Sequence, residues 1–306
     1  MEFLYLLEEL RHPLLDSFFS LITRLGEETF FIVLGLIFFW CVNKKEGYYL
    51  LFIGFIGTVI NQFLKLYFRI PRPWVKNKDF TIVEPAKKAA AGYSFPSGHT
   101  QSSIGIFGGM ARMHNQKTFR IICVILCVLV PFSRLYLGVH TPLDVGVSAV
   151  LALGLVFGLY PLVSRCFENT RSMRILLFFM MILSAALTVF VTFYRFPENI
   201  DTKNLAEGTK NAYEMLGSTI GIYISYEVDK RYINFKTDGN IICQILKLGF
   251  GIIPVLTIKQ GLKAPLRMLI ANQFAADGVR YLILVLFIGC VWPLTFEKIR
   301  KFTEKK

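Results

Sequence analysis

The chain has 306 residues, 54% of them hydrophobic and only 18% charged, with a formal net charge of +13. The charges sit between long apolar stretches, which excludes a water-soluble globular domain. With no basic soluble domain, the positive charge is expected to serve membrane topology and the substrate rather than nucleic acid.

Residues 1–28 read as an amphipathic segment, an interfacial helix or an extension of the first span. A membrane crossing needs about 20 mostly apolar residues. Nine stretches are candidates in chain order: 29–42, 48–68, 97–113, 119–136, 143–163, 175–194, 212–226, 241–258 and 279–296. The first is too short for a core of about 30 Å, so its helix is expected to reach back through Arg24 and Glu28, an i,i+4 pair. The fold class is therefore all-α, a polytopic membrane helical bundle of about nine transmembrane helices plus the N-terminal segment. Residues 29–194 form the expected catalytic core, and 195–306 supply additional helices.

Topology follows from the short turns. Lys44 and Lys45, then Arg112, Lys117 and Arg120, then Arg165, Arg171 and Arg174, then Lys230, Arg231 and Lys236, and the run 298–306 all fall on one face. The positive-inside rule makes that face, and the C-terminus, cytoplasmic. Lys76, Lys78, Lys87, Lys88, Lys259, Lys263 and Arg267 lie opposite, in loops where functional charge blurs the signal. The six cysteines suggest neither a disulfide framework nor a metal site.

Three segments on the non-cytoplasmic side carry chemistry: 65–73 (K-x6-R-P), 96–99 (P-S-G-H) and 133–144 (S-R-x5-H-x3-D). In the first, Lys65 ends the second span, one turn after Asn61, and Pro71 and Pro73 stiffen the loop around Arg72. Taken singly, Lys65 is a snorkelling lysine and Arg72 an exposed loop charge. In the second, Ser97 is an N-cap and His99 lies in the first turn, so a helix N-terminus with free N–H groups faces any bound anion. Gly98 lets backbone approach it closely. Alone, this is an ordinary cap with an interfacial histidine.

The third segment is the densest. Thr141 suits an N-cap, Pro142 the first helical position, and Asp144 can close a capping box onto the Thr141 N–H. Asp144 can equally accept from one ring nitrogen of His140, leaving the other free to attack phosphorus. Arg134 is placed for bidentate contact with phosphate oxygens. Gly217 and Gly221, spaced G-x-x-x-G, predict close helix packing rather than binding. Lys247 is an intramembrane cation with no assigned role.

With these motifs in place, the chain resembles the type 2 phosphatidic acid phosphatase superfamily of membrane lipid phosphatases over roughly 29–194. The stretch 25–40, with Gly26-Glu27-Glu28 ahead of an aromatic-rich span, weakly resembles its sphingosine-phosphate phosphatase branch. The resemblance implies a metal-independent hydrolase without cofactors. It makes His140 the nucleophile, Asp144 its orienting partner and His99 the acid for the leaving alkoxide. Lys65, Arg72, Arg134, Ser97 and Gly98 would hold the phosphate. The expected partners are the bilayer and a lipid phosphate. In a bacterium, undecaprenyl diphosphate, phosphatidic acid and phosphatidylglycerophosphate are candidates, and the weaker resemblance adds sphingoid-base phosphates. Two other readings use the same residues or fold, a lipid phosphotransferase and a non-catalytic lipid transporter.

Overall fold

The computed structural model describes residues 1–88 and 90–304. Two parts of the expected charge pattern, the side chain of Lys88 and the final Lys305 and Lys306, lie outside the described residues. Every regular element among those described is helical. The principal helices are α1 (Glu2–Glu9), α2 (Pro13–Thr23), α3 (Glu28–Ile37), α4 (Lys44–Phe68), α5 (Gly98–Ser103), α6 (Lys117–Tyr136) and α7 (Pro142–Glu168). They are followed by α8 (Thr170–Phe193), α9 (Thr202–Val228), α10 (Ile241–Gly261), α11 (Lys263–Leu269), α12 (Gln273–Leu286) and α13 (Phe296–Glu304).

Six helical stretches are long and apolar enough to cross a bilayer: Lys44–Lys76, Lys117–Tyr136, Pro142–Glu168, Thr170–Phe193, Ile241–Gly261 and Gln273–Glu304. A seventh exists if Pro13–Gly26 and Glu28–Val42, bent by 53°, cross as one broken span. The expected nine are not reached, and the reasons are physical. The 97–113 stretch folds as Gly98–Ser103, a π turn Ile104–Gly108 and Gly109–Met113, of 6, 5 and 5 residues. At 1.5 Å per residue this gives about 24 Å, less than the bilayer core. Helix α9 is long, but Lys203, Glu207, Lys210 and Glu214 occupy its first half. The first span does not run straight back through Arg24 and Glu28; a 3-10 turn, Arg24–Gly26, breaks it.

The chain divides into two compact units. The first comprises Met1–Ile32, Tyr49–Leu162 and Phe196–Gly208. Its long helices turn apolar side chains outward: Ile121, Ile122, Val124, Ile125 and Val128 of α6 are all exposed. A contiguous stripe of this kind belongs against lipid rather than water. The polar side is turned in, and the C-terminal end of α6, from Val130 to Tyr136, is mostly buried. Helix α2 lies along that end. The Phe19 ring packs at a 37° tilt with its centroid 4.4 Å from that of Tyr136, whose hydroxyl donates to Asp16 Oδ1 at 2.7 Å. His12 caps α2, its Nδ1 accepting from the Leu14 N–H, and its own N–H donates to the Tyr136 hydroxyl. Tyr49 on α4 ties to α7 through the Val156 carbonyl at 2.5 Å.

The second unit comprises Val33–Tyr48, Val163–Arg195 and Thr209–Lys306. The G-x-x-x-G pair packs as its spacing predicts. A Cβ at Gly217 would stand 1.9 Å from the Gly278 carbonyl oxygen and one at Gly221 would stand 2.9 Å from Val285 Cβ, so α9 and α12 cross with almost no side chain between them. Beside this crossing Arg280 pairs with Glu214 and Asp277, both at 2.9 Å, and Arg267 pairs with Asp277 at 2.6 Å. Glu214, Asp277 and Arg280 are buried and Arg267 is half-buried, but the paired charges balance, as a structural network requires. Lys247 reaches the loop carbonyls of Asp238, Thr237 and Lys236 at 2.9, 3.2 and 3.4 Å. These contacts give it a structural role in holding the turn before α10.

Candidate active site

All eight residues singled out from the motifs lie in the first unit, at helix ends. Lys65 is in the last turn of α4 and Arg134 in the last turn of α6. His99 opens α5 and Asp144 opens α7. Ser97 is the N-cap of α5, its hydroxyl oxygen accepting from the Thr100 N–H at 3.4 Å. A Cβ at Gly98 would meet only Asn61 Oδ1, at 3.9 Å, so the helix start is open on that side. The two N-termini are joined directly, because the Ser97 N–H donates to the Asp144 carbonyl at 3.2 Å.

The capping box on α7 is complete. The Thr141 N–H donates to Asp144 Oδ2 at 2.7 Å, and the Asp144 N–H returns a bond to Thr141 Oγ1 at 3.3 Å. His140 Nδ1 lies 3.5 Å from the same Oδ2. The separation is within ion-pair reach but longer than a good hydrogen bond. The other ring nitrogen, Nε2, is 2.9 Å from Arg72 Nη1. Because a guanidinium can only donate, Nε2 is the acceptor here and the ring proton belongs on Nδ1, toward Asp144.

Arg72 is nearly saturated. Its Nε donates to the Gly92 carbonyl at 3.1 Å, Nη1 to Val139 at 2.9 Å and Nη2 to Ala91 at 2.7 Å. The Lys65 ammonium donates to the next carbonyl in that loop, Tyr93, at 2.5 Å. Successive carbonyls of 91–93 thus hold two cations side by side, which offsets a repulsion that would otherwise splay them. Lys65, Arg72, His99 and Arg134 all contribute to the field at His140. Burial holds the His140 imidazole well below its ordinary pKa, and the charges of Arg72, Arg134 and Lys65 act in the same direction.

Several neighbours of the site fall outside the motif residues first picked out. Ser94 donates to Asp144 Oδ2 at 2.6 Å, and Thr23 accepts from Arg134 Nη1 at 2.7 Å. Both side chains are buried. Asn61 is buried too, and its Nδ2 approaches the Pro96 carbonyl at 3.5 Å. Neither Ser94 nor Thr23 belongs to a spacing pattern, so no local signal marks them.

His99 Nε2, together with Nε and Nη2 of Arg134, is buried and makes no hydrogen bond among the described residues. Two donor positions and an imidazole nitrogen are thus left unpaired beside buried cations and a helix N-terminus. The arrangement suits an anion with several oxygens and a nucleophilic nitrogen beside it.

Comparison with known proteins points the same way. Residues 46–168 match the family model of the PAP2 superfamily, and residues 213–305 match the one described as PAP2 superfamily phosphatase, transmembrane extension. Similar proteins include undecaprenyl-diphosphatase BcrC of Bacillus subtilis, 31% identical over 46% of this chain and 72% of that protein. A probable sphingosine-1-phosphate phosphatase of Dictyostelium discoideum is 30% identical over 48% of this chain, but only 38% of its own length is covered. The lipid A 4'-phosphatase of Porphyromonas gingivalis is 30% identical over 50% of this chain and 66% of that protein. No solved structure matches the chain. Taken with the motif residues gathered at the helix ends, these matches show that the chain belongs to the PAP2 superfamily and carries the transmembrane extension of its phosphatases.

Proposed function

We propose that this multi-pass membrane protein hydrolyses a phosphate monoester or diphosphate of a lipid through a phosphohistidine on His140. The observation that carries this reading is the pair of contacts on His140. Nδ1 faces Asp144, and the Nε2 lone pair accepts from Arg72 Nη1 at 2.9 Å, a donor that must turn to the phosphate oxygens before Nε2 attacks. Attack of the Nε2 lone pair on phosphorus forms a P–N bond while the bond to the lipid oxygen breaks. His99 gives that oxygen its proton. Asp144 stabilises the positive charge that develops on the ring. Water then attacks the phosphohistidine, His99 takes its proton, and inorganic phosphate leaves a neutral His140.

The magnitudes assign most of the work to charge and position. Phosphate monoesters require accelerations of up to ~10²¹-fold, whereas general acid catalysis supplies about 10²–10⁴. The remainder falls to Lys65, Arg72 and Arg134, with the N-terminus of α5 presented by Ser97 and Gly98.

The non-cytoplasmic face is supported by the helix directions. Arg112, Lys117 and Arg120 cluster where the helix ending at Met113 meets the start of α6, while the motif residues gather at the opposite ends of these helices. Residues 29–194 hold the motif chemistry, and 195–306 add the extension. The relatives named above act on a polyprenyl diphosphate, a sphingoid-base phosphate and a lipid A phosphate, which makes an amphiphile with a terminal phosphate the substrate class.

A panel of lipid monophosphates and diphosphates tests the reading directly. Phosphate release is expected from several members, undiminished by EDTA; loss of activity on chelation contradicts it. The depressed pKa of His140 adds a pH dependence. Because kcat/KM reports the free enzyme, the acid limb due to His140 is expected below pH 6.5, where an unperturbed imidazole would titrate. A His140 limb above pH 6.5 would contradict the buried, cation-flanked geometry. Stability has the same sign. The unfolded chain takes up a proton near pH 6.5 that the folded chain refuses, so this contribution is full above that pH and declines as pH falls below it.

A further inference from the structure

Arg134 is fully buried, and its guanidinium is anchored from outside the three motif segments. Its Nη1 donates to Thr23 Oγ1 at 2.7 Å, across 111 residues of chain. The other edge, Nε and Nη2, makes no hydrogen bond among the described residues although it is buried. That edge matters because Nε–H and Nη2–H are a parallel pair of donors, suited to gripping two oxygens of one phosphate. Anchoring through Nη1 leaves the pair unobstructed and fixes the plane in which it lies.

The segment carrying Thr23 is itself held against the site. Helix α2 is splinted to α6, the helix of Arg134, by the contacts of Phe19, Asp16 and His12 with Tyr136. The turn Arg24–Gly26 that follows lies against His99. A Cβ at Gly26 would come within 3.0 Å of the His99 carbonyl oxygen and 3.1 Å of its Cβ. One short N-terminal stretch therefore touches both Arg134 and His99, the two residues whose buried nitrogens make no hydrogen bond among the described residues. On its far side α2 exposes Leu14, Phe18 and Leu21, a lipid-facing stripe.

We propose that Thr23 is a positioning residue for phosphate binding, acting through Arg134, and that α2 with its following turn completes the site. The proposal rests on the phosphatase reading for the role of Arg134. Thr23 touches no substrate itself. Its hydroxyl holds one edge of the guanidinium so that the other edge meets the phosphate.

The test is a mutant cycle in the full-length, detergent-solubilised protein: wild type, Thr23→Val, Arg134→Lys and the double variant, with Thr23→Ser as the conservative replacement. Kinetics on a lipid monophosphate and equilibrium binding of labelled inorganic phosphate are read for each. Thr23→Val is expected to lower kcat/KM by about tenfold to a hundredfold and to weaken phosphate binding. Thr23→Ser retains most of both. On the Arg134→Lys background, which lacks Nη1, Thr23→Val is expected to add less than about twofold, since the coupled partner is gone.

Equal losses on both backgrounds would overturn the proposal, as would a Thr23→Ser variant as impaired as Thr23→Val. If Thr23→Val fails to fold, Thr23→Ala is carried through the same cycle. Failure of both to fold also overturns it, because Thr23 would then be holding the fold and not the arginine. The phosphate-binding arm keeps the two readings apart. Turnover of no lipid with the Thr23–Arg134 coupling intact defeats the phosphatase reading alone, and turnover without coupling defeats this inference alone.

Discussion

His140→Ala is expected to abolish phosphate release while the protein remains folded. The imidazole is buried, and its Nε2, the proposed nucleophile, lies 2.9 Å from Arg72 Nη1. Removing a covalent nucleophile that acts with its partners as a unit costs on the order of 10⁶-fold in a serine hydrolase, so a residual rate below detection is the expected result here. Two measurements separate lost chemistry from lost structure. Acid-quenched wild-type protein should yield a labelled phosphohistidine and His140→Ala should not. Binding of inorganic phosphate should survive the substitution, since Lys65, Arg72 and Arg134 remain. Full activity in His140→Ala would remove the mechanism altogether.

Asp144→Asn is expected to lower kcat by about 10⁴-fold, the scale set by losing the buried carboxylate of a catalytic triad, with little change in unfolding temperature. This carboxylate has two duties in the structure. Oδ2 accepts from the Thr141 N–H and from the Ser94 hydroxyl, which is helix capping and packing. The same oxygen faces His140 Nδ1 at 3.5 Å, the contact to which the proposed mechanism gives a catalytic duty. An asparagine carbonyl can accept the capping bonds but carries no charge to stabilise the ring that forms the P–N bond. Asp144→Ala removes both duties, and a lost cap adds about 0.5–2 kcal/mol of destabilisation. The discriminating result is the difference between the two variants. Equal loss of stability in both, with kcat nearly unchanged in Asp144→Asn, would leave Asp144 as a cap only.

Arg72 shows why a site made of cations can be stable before any anion arrives. Like charges packed in a low-dielectric interior repel strongly. Here carbonyls from 91–93 and from Val139 take up Arg72 and Lys65 donors, adding negative partial charge to the field of the Asp144 carboxylate.

What the sequence by itself determined is what depends on neighbours within one helical turn. The Ser97 cap and the Thr141–Asp144 box join residues three apart. The G-x-x-x-G face of α9 needs only helical spacing. The chemical identity of His99, Arg134, His140 and Asp144 is likewise legible, because the motif spacings place each at a helix end. The count of spans was not legible. Apolar runs do not reveal that 97–113 is interrupted by a π turn or that the chain bends by 53° ahead of 29–42.

Only the tertiary structure decided who holds the functional groups. Ser94 reaches Asp144 across 50 residues, Arg72 reaches the Val139 carbonyl across 67, and Arg134 reaches Thr23 across 111. No periodicity connects such partners. A lone serine or threonine satisfies the same local rules wherever it lies, and its meaning is set by which buried charge the fold brings against it. For this chain that divides the site in two. The proposed reacting groups lie in the motifs, and several hydrogen bonds that hold them come from segments that local pattern leaves unmarked.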